Sequence, residues 1–327
     1  MNRKSKIVYP DNPNGIYHYE TPMIGGIRQY IQIRGTDKRN PLLLFLHGGP
    51  GGSLAGFCHI LQTGWEEHFT VVHWDQRNAC KTYLANKARA KEIAKTGTMD
   101  DFVQDIDEVI AYLHTVLDFD KLILMGFSWG SAIGAEYAKR HPENLLCYIG
   151  VGQLVNYRDG VFCTCEKLLR LMPQGSTDAA KIEKLMADFP EHPVWNKELT
   201  QCMRHFMPLS AKYIMKHVKR VPLGKILKSP FLNLKEKYAS LVGNPAMQKQ
   251  AFVTMLAYDF REDLNFGVPL LFVFGEEESV CPSELVQACF DEISAPRKQI
   301  AVIPQAGHSC FFDQPEAFMK TLLEFLG

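Results

Sequence analysis

A run of apolar residues in the middle of the chain stops at a serine between two glycines, and this junction constrains the fold more than any other feature. The stretch LILMGFSWGSAIGAEYAKR, residues 122–140, begins like a strand and continues after Ser128 with apolar residues at helical spacing. The chain must therefore turn sharply at Ser128. Gly126 and Gly130 lack the Cβ atoms that would collide in so tight a turn.

Strand-like and helix-like segments alternate over most of the chain. This alternation is typical of a mostly parallel central sheet with helices on both faces, an α/β fold. The predicted strands are Ile27–Ile33, Leu42–Leu46, Thr70–Trp74, Lys121–Met125, Leu145–Val151, VPLLFVFG from residue 268 and KQIAVIP from residue 298. The predicted helices are Asp100–Leu117, Trp129–Lys139 and the stretches that start at Pro282 and Gln314.

Residues 152–258 break the alternation. They contain short helical pieces separated by prolines and no convincing series of strands. We therefore predict a helical cap at residues 152–258, inserted in an α/β core of residues 1–151 and 259–327. The same segment is basic: between Val161 and Gln250 there are 15 Lys or Arg against 7 Asp or Glu, a surplus of eight positive charges.

Composition excludes several classes of protein. With 46% apolar and 22% charged residues, the chain is typical of a soluble globular protein, and its formal charge of zero argues against nucleic-acid binding. Its first residues form no apolar stretch of signal-peptide length, and no segment approaches the roughly 20 apolar residues of a membrane span. We therefore expect a cytoplasmic protein with no integral membrane segment. The nine cysteines, without a C-x-x-C pair, predict reduced thiols rather than disulfides or a metal site.

Ser128 is a candidate nucleophile, and the sequence offers it partners. A serine hydroxyl needs a histidine to take its proton, a carboxylate to orient that histidine, and N–H donors for the oxyanion. His308 lies in a glycine-bearing loop after the last predicted strand, where it can reach the carboxyl edge of the sheet. Three consecutive glutamates, Glu276–Glu278, follow the preceding strand, and one of them suffices as the orienting acid.

Taken together, these motifs resemble the alpha/beta-hydrolase superfamily and, within it, the prolyl iminopeptidase-like group. The shared motifs are HGGPGG at 47–52, DQR at 75–77, GFSWGS at 126–131 and AGHS at 306–309. The resemblance covers the core and is weak in the cap. It implies an alpha/beta-hydrolase fold, and its acid-loop register from Gly275 to Pro282 makes Glu278 the orienting carboxylate, where the family usually has aspartate. It further implies that the N–H groups of Gly49 and Trp129 form the oxyanion hole.

The resemblance leaves other residues of these motifs with supporting roles. We expect Glu276 and Glu277 to be solvated loop charges and His47 to hold its loop. Asp75 and Arg77 are expected to form an ion pair. The family's DQR motif is normally followed by two glycines, which this chain replaces with Asn78 and Cys80, so this loop is expected to differ in shape.

The cap departs further from the family. Prolyl iminopeptidases hold the free ammonium of the substrate with cap glutamates, and Glu166, Glu191 and Glu198 are the candidates for that role here. A basic cap is an unusual place to bind a cation. The most basic run, Ala211–Lys228, has six Lys or Arg and no acid. We interpret it as a solvated helical face, with attraction of anionic substrates and membrane contact as alternatives.

These observations predict a serine hydrolase that forms an acyl-enzyme on small ester, amide or N-terminal peptide bonds, without a metal or a cofactor. The expected partner is a small-molecule or short-peptide substrate; the oligomeric state is not predicted. One alternative is a carboxylesterase or lactonase that lacks the amine clamp. Another, from a different class, is a non-catalytic small-molecule receptor on the same fold, although a receptor has no need for a serine, an acid and a histidine together.

Overall fold

One eight-stranded sheet organises the molecule. The computed structural model describes residues 12–219, 224–225, 228–242 and 245–327. The strands in chain order are β1 Ile16–Glu20, β2 Met23–Ile24, β3 Ile27–Arg28, β4 Tyr30–Gly35, β5 Leu42–Leu46, β6 Thr70–Asp75, β7 Leu122–Phe127, β8 Leu145–Val151, β9 Leu270–Gly275 and β10 Lys298–Ile303. The sheet order is β1-β4-β6-β5-β7-β8-β9-β10, while β2 and β3 form a separate hairpin.

All neighbours from β6 to β10 run parallel, and only the β1–β4 and β4–β6 pairs are antiparallel. The predicted α/β architecture is therefore confirmed. The expected single strand Ile27–Ile33 is wrong in detail. It is split into β3 and β4 at Gln29, whose backbone N–H donates to the carbonyl of Pro22 at 3.0 Å and draws the chain out of a continuous strand.

Helices cover the sheet on both faces. In the core they are α1 Cys58–Leu61, α2 Trp65–His68, α3 Cys80–Ala85, α4 Ala90–Ile93, α5 Met99–Val116, α6 Trp129–Arg140, α13 Ser283–Cys289, α14 Cys310–Asp313 and α15 Pro315–Leu326. Successive residues of β5 show the two-sided burial: Leu44 joins one hydrophobic cluster and Phe45 the other, each at most 1% exposed. This explains why the strand sequence is continuously apolar rather than alternating.

Between β8 and β9 the described residues form helices and contribute no strand to the sheet. These helices are α7 Tyr157–Leu171, α8 Thr177–Asp188, α9 Lys197–Cys202, α10 Phe206–Tyr213, α11 Leu234–Val242 and α12 Lys249–Ala257. Twelve apolar residues between Val161 and Ile214 form a third cluster, distinct from the two beside the sheet. We refer to residues 152–258 below as the cap segment; its status as a separate domain stays a prediction.

The expected continuous helix in the basic run is wrong, whereas Lys212, Lys216 and Lys219 are exposed, as the solvated interpretation expected. Helix α10 ends at Tyr213, so Lys216 and Lys219 do not continue it, and Lys212 is paired with Asp178 at 2.6 Å. Arg220 lies outside the described residues. The reason for the early end is a set of contacts to the core, described below, which draw residues 217–219 away from a helical path.

None of the helices within the described ranges is long and apolar enough to cross a lipid bilayer.

Candidate active site

Ser128 stands at the carboxyl end of β7, immediately before α6. Its backbone has φ 55° and ψ −121°, a conformation that a residue with a side chain rarely adopts. The strained turn is held from both sides: the Ser128 N–H donates to the carbonyl of Val151 at 2.9 Å, and the Ser128 carbonyl accepts from the N–H of Ser131 at 2.8 Å. The turn directs the chain from the sheet into the helix at the serine.

The two glycines that flank Ser128 are required by close backbone contacts. A Cβ atom on Gly126 would lie 2.4 Å from the carbonyl oxygen of Gly130, and one on Gly130 would lie 2.1 Å from that of Leu46. Either would force the backbone apart. The predicted reason for these glycines is confirmed.

The glycine-rich loop after β5 packs directly against the serine. A Cβ atom on Gly48 would lie 3.0 Å from the Cβ of Ser128. The next residue, Gly49, has φ 124°, which favours glycine. Among the described residues, the N–H groups of Gly49 and Trp129 find no hydrogen-bond acceptor, and Trp129 opens α6 where the helix dipole is positive. Two N–H donors are therefore free on the loops that flank Ser128.

The His47 side chain holds the glycine-rich loop after β5 in place through hydrogen bonds. Its Nδ1 lies 2.8 Å from the carbonyl oxygen of Gly48, and its Nε2 accepts the N–H of Gln76 at 3.2 Å. The Gln76 side chain in turn donates to the His47 carbonyl at 3.0 Å. These contacts require a neutral ring with its proton on Nδ1, and burial lowers the pKa of His47 to about 4. His47 therefore has the contacts of a residue that holds the loop.

His308 and Glu278 are hydrogen-bonded to each other. The His308 Nδ1 lies 2.8 Å from the Glu278 Oε2. The Glu278 side chain is 3% exposed and that of His308 is 19% exposed, so the carboxylate is buried beneath a ring that reaches the surface of the site. This geometry leaves the Nε2 edge of His308 available for a proton from another group.

The second oxygen of Glu278 is held by the backbone of its own loop. The Oε1 atom accepts from the N–H groups of Ser279 at 2.9 Å, Val280 at 2.7 Å and Cys281 at 3.1 Å. Burial alone raises the pKa of Glu278, but the charge of His308 and these hydrogen bonds lower it overall. The extra methylene of glutamate is accommodated because the side chain folds back onto the turn.

Packing brings the histidine and the acid loop next to the serine. The His308 ring stacks at a tilt on Phe127, the residue before Ser128, with ring centroids 4.8 Å apart. The buried Cys281 thiol, three residues after Glu278 in the acid loop, lies close to the Ser128 side chain. Gly152 leaves the room for this arrangement, because a Cβ atom there would lie 2.9 Å from the His308 ring. The structure thus brings together Ser128, His308, Glu278, Gly49 and Trp129.

The two other glutamates of the acid loop differ from each other. Glu276 is exposed, as expected, and accepts the N–H of Gln305 at 3.0 Å. The expectation that Glu277 is solvated is wrong: it is 8% exposed, accepts the backbone N–H of His217 at 2.7 Å and pairs with the His217 ring. His217 belongs to the cap segment and lies 60 positions away in sequence, so no local signal could have revealed this contact.

A second contact ties the same stretch of the cap segment to the histidine loop. Asp313, fully buried, accepts the N–H of Lys219 at 2.8 Å with one oxygen and the N–H of Gly307 at 2.9 Å with the other. Gly307 directly precedes His308. Sequence reasoning missed Asp313, although an acid five residues after a candidate histidine was a usable signal.

The expected Asp75–Arg77 ion pair is wrong. The Arg77 guanidinium pairs with Asp105 of α5 through two contacts of 2.6 and 2.7 Å. Asp75 instead accepts from the Ser53 hydroxyl and from the Lys81 N–H, and burial raises its pKa to about 6. Asp75 is the last residue of β6 and Arg77 lies in the turn that follows, so the strand's alternation no longer sets both side chains on one face. Each of the two finds a partner on a different element.

The loop after the DQR motif keeps left-handed backbone without its glycines. Asn78 has φ 55° and Cys80 has φ 26°. Asparagine tolerates this region because its side chain can bond to nearby backbone, whereas a cysteine there is strained. The expected difference in loop shape from the family stays a prediction.

The three glutamates predicted to bind a substrate ammonium are exposed. Glu166 lies on α7, Glu198 on α9, and Glu191 in the connection before α9. A preformed ammonium site needs carboxylates withdrawn from water. These three side chains do not supply them.

Comparison with known proteins identifies the fold. Residues 41–315 match the model of the alpha/beta hydrolase fold family. A probable aminopeptidase of Bacillus subtilis, YbaC, is 27% identical over 304 residues, covering 91% of this chain and 93% of the relative. A proline iminopeptidase of Thermoplasma volcanium is 22% identical over 310 residues, covering 93% and 94% of the two chains.

Solved structures show the same fold at low identity. The proline iminopeptidase of Mycobacterium smegmatis has a TM-score of 0.65 at 21% identity, covering 95% of this chain and 97% of its own. An esterase of Exiguobacterium antarcticum has a TM-score of 0.60 at 20% identity, covering 95% and 99%. At this level of identity the likeness concerns the fold.

Proposed function

The chain belongs to the alpha/beta hydrolase fold family, and from this premise we propose that it is a serine hydrolase acting on small ester, amide or N-terminal peptide bonds. The full-length likeness to a probable aminopeptidase supports a hydrolytic activity. The observation that carries the proposal is the hydrogen bond between His308 and Glu278, on loops packed against the strained turn at Ser128.

Each residue has a distinct role in the proposed reaction. The Ser128 oxygen attacks the substrate carbonyl carbon while His308 Nε2 takes the hydroxyl proton, and Glu278 stabilises the resulting imidazolium. The N–H groups of Gly49 and Trp129 bind the oxyanion. The leaving group takes the proton from His308 as the carbon–leaving-group bond breaks. Water then attacks the acyl-enzyme, again losing a proton to His308, and release of the acid restores the Ser128 hydroxyl.

The test of this function uses Ser128→Ala and a fluorophosphonate probe. We expect the probe to label the wild type at Ser128 and to leave the variant unlabelled. Turnover should fall by about three to six decades, as for other serine triads. Labelling at another residue, or full turnover by the variant, would overturn the proposal.

A second candidate function is favoured by the exposure of the three cap glutamates: an esterase or lactonase that lacks the amine clamp. An unpaired cation beside surplus lysines would face both desolvation and repulsion. We therefore expect acetylation of the substrate's α-amine to leave turnover largely intact. The measurement is kcat/KM for free and N-acetylated versions of one aminoacyl ester, at low and moderate salt. Rejection of the acetylated ester by several decades would restore the aminopeptidase interpretation.

The remaining assignments are part of the same proposal. We propose that residues 152–258 form a cap over the site, supported by their own hydrophobic cluster and by the contacts of residues 217–219 to the acid and histidine loops. We propose a cytoplasmic location, which nine unpaired cysteines suit.

A further inference from the structure

Three consecutive residues of the cap segment, 217–219, contact the core loops that carry the proposed acid and histidine. The first and the last donate their backbone N–H groups to the buried carboxylates of Glu277, at 2.7 Å, and Asp313, at 2.8 Å. The middle residue, Val218, packs on Gly307. We refer to residues 217–219 as the docking stretch. Because all three residues contact the core, the docking stretch and the two loops constrain each other's positions.

Asp313 closes the loop that carries His308. It is the last residue of α14, and its Oδ2 accepts the N–H of Gly307, six positions earlier, at 2.9 Å. His308 is the next residue after Gly307, so this hydrogen bond restrains the backbone on the amino side of the histidine. Asp313 is 0% exposed, so water does not compete for the bond.

Both oxygens of Asp313 face backbone donors. The Oδ1 accepts the N–H of Lys219 in the docking stretch, while the Oδ2 accepts that of Gly307. An ionised carboxylate accepts at both oxygens, whereas an amide of the same shape has one acceptor and one donor. An asparagine at this position therefore keeps one of the two bonds and turns its amide hydrogens toward the other donor. This pair of contacts thus requires a carboxylate.

The core and the docking stretch both pack against the backbone that precedes His308. A Cβ atom on Gly275, the last residue of β9, would lie 2.2 Å from the carbonyl oxygen of Ala306. A Cβ atom on Gly307 would lie 2.4 Å from Cγ2 of Val218. Departure of the docking stretch therefore removes one of the two surfaces that confine this backbone.

We propose that Asp313 is a positioning residue for His308 and that its action depends on the docking stretch. Asp313 holds the histidine loop through Gly307, and the docking stretch holds Asp313 through the N–H of Lys219. The inference rests on the proposed serine hydrolase function, in which His308 transfers the proton. The cap segment thereby affects catalysis through the position of His308, without a group that touches the reacting atoms.

The position of His308 matters because its ring has two partners. Its Nδ1 is bonded to Glu278 at 2.8 Å, and in the proposed reaction its Nε2 takes the proton of the Ser128 hydroxyl. A shift of the loop moves the ring relative to both, and a misplacement of about 1 Å costs up to about 100-fold in rate. Loss of the docking stretch removes the Lys219 donor and the Val218 contact together. We therefore expect slower proton transfer with little change in substrate binding.

Asp313→Asn tests the positioning role, with Glu316→Gln, at an exposed acid three residues further on, as the matched control. We expect the variant to lower kcat by about 10- to 100-fold, corrected for the folded fraction, with KM within about threefold. The NMR resonance of the His308 Nδ1 proton is a readout that a loss of stability alone does not move. It should shift in Asp313→Asn and not in the control. An unchanged kcat or an unchanged resonance in the folded variant overturns the positioning role.

Two substitutions that compensate each other test the docking stretch and leave Asp313 in place. Gly307→Ala sets a methyl group 2.4 Å from Val218 Cγ2, so it should displace the stretch and lower kcat by about tenfold or more. Val218→Ala removes that Cγ2, and the nearest remaining atoms lie 3.6 Å away, an ordinary contact. The double variant should therefore recover to within about threefold of Val218→Ala alone. A folded Gly307→Ala protein with wild-type kcat, or a folded double variant that does not recover, overturns the dependence on the docking stretch.

Hydrogen exchange separates this inference from the proposed function, because it needs no turnover. In Asp313→Asn the N–H of Gly307 or that of Lys219 should exchange about tenfold or more faster than in the wild type, while both keep their wild-type rates in the control variant. If Ser128→Ala kept full turnover but these exchange rates and the histidine resonance changed, the hydrolase assignment would fail and the coupling to the docking stretch would stand. Wild-type exchange at both positions in Asp313→Asn contradicts the inference whatever the turnover.

Discussion

The loops at the carboxyl edge of the core sheet and the cap segment are held in place by different means. Around the core site, backbone packs on backbone: a Cβ atom on Gly126, Gly130 or Gly275 would lie 2.1–2.4 Å from a backbone carbonyl oxygen. In the cap segment, a Cβ atom on Gly175 would meet nothing within 4 Å. Sterics therefore fix the backbone at these three core glycines, whereas Gly175 in the cap segment is under no such constraint.

Charge follows the same division. Around the core site, Arg77 pairs with the buried Asp105 and His308 with the buried Glu278. The cap segment has a surplus of positive charge, and its glutamates at 166, 191 and 198 are exposed. Changes in the core loops should therefore cost far more than changes of the same chemistry in the cap.

After Ser128 itself, the largest expected effect comes from Glu278. Glu278→Gln should lower turnover by about two to four decades, because a neutral amide no longer stabilises the imidazolium of His308. The matched control is Glu276→Gln, two residues away on the same loop but exposed, which should stay within about tenfold. Steady-state rates with one ester are sufficient. If Glu276→Gln lost turnover by decades while Glu278→Gln stayed active, the orienting acid would be misassigned.

The next effect concerns pH and His47. Burial lowers the pKa of His47 to about 4, against about 6.5 in an unfolded chain. Between these values the unfolded state binds a proton that the folded state does not. Stability is therefore lost as the pH falls from about 6.5 to about 4. Protonation of His47 in the unfolded state should lower the free energy of unfolding by about 2 kcal/mol at pH 5 relative to pH 7.

The measurement for His47 is urea unfolding of the wild type and His47→Gln at both pH values. Asp75, whose pKa burial raises to about 6, acts in the opposite direction, so the difference between the two proteins isolates His47. His192→Asn, at an exposed histidine of the cap segment, is the control and should follow the wild type. A His47→Gln protein that loses as much stability as the wild type would contradict the buried neutral ring.

Glu277 tests the comparison directly, because this residue of a core loop is hydrogen-bonded to His217 of the cap segment. Glu277→Gln loses the charged partner of His217, so we expect the free energy of unfolding to fall by about 1–3 kcal/mol. Turnover should stay within about tenfold, because Glu278 still orients His308. Urea unfolding and hydrogen exchange at residues 214–219 check the two parts. A loss of turnover equal to that of Glu278→Gln would mean that the acid-loop register is wrong by one residue.

The smallest effect is expected in the cap. Replacing Glu166, Glu191 and Glu198 together by glutamine should change kcat/KM for a free-amine ester by no more than about twofold, because exposed side chains contribute little binding energy. Parallel assays of the N-acetylated ester control for general damage. A selective loss of the free-amine ester by tenfold or more would assign one of these glutamates to the ammonium.

Much of the fold and the candidate site could be predicted from short motifs. Gly126 and Gly130 indicated the turn because their requirement is local and steric. The acid-loop register of the resembled family, from Gly275 to Pro282, implied Glu278 among three glutamates, and the structure sets that residue against His308. Its catalytic role stays a prediction.

Contacts between segments that are distant in the chain could not be predicted from the sequence. Arg77 is 28 residues from its partner Asp105, and the nearer Asp75 was the natural but wrong expectation. The end of α10 at Tyr213 depends on where Glu277 and Asp313 hold residues 217–219, which helical spacing alone does not reveal.

The central claim is that Ser128 carries the acyl group during turnover. The most direct measurement is rapid acid quench of the enzyme with a slowly hydrolysed p-nitrophenyl ester, followed by mass spectrometry of the peptides. The account predicts a burst of p-nitrophenol equal to the enzyme concentration and an acyl mass increment on the peptide that contains Ser128, absent from Ser128→Ala. A burst whose acyl group maps to another residue, or steady turnover that Ser128→Ala retains, would contradict it.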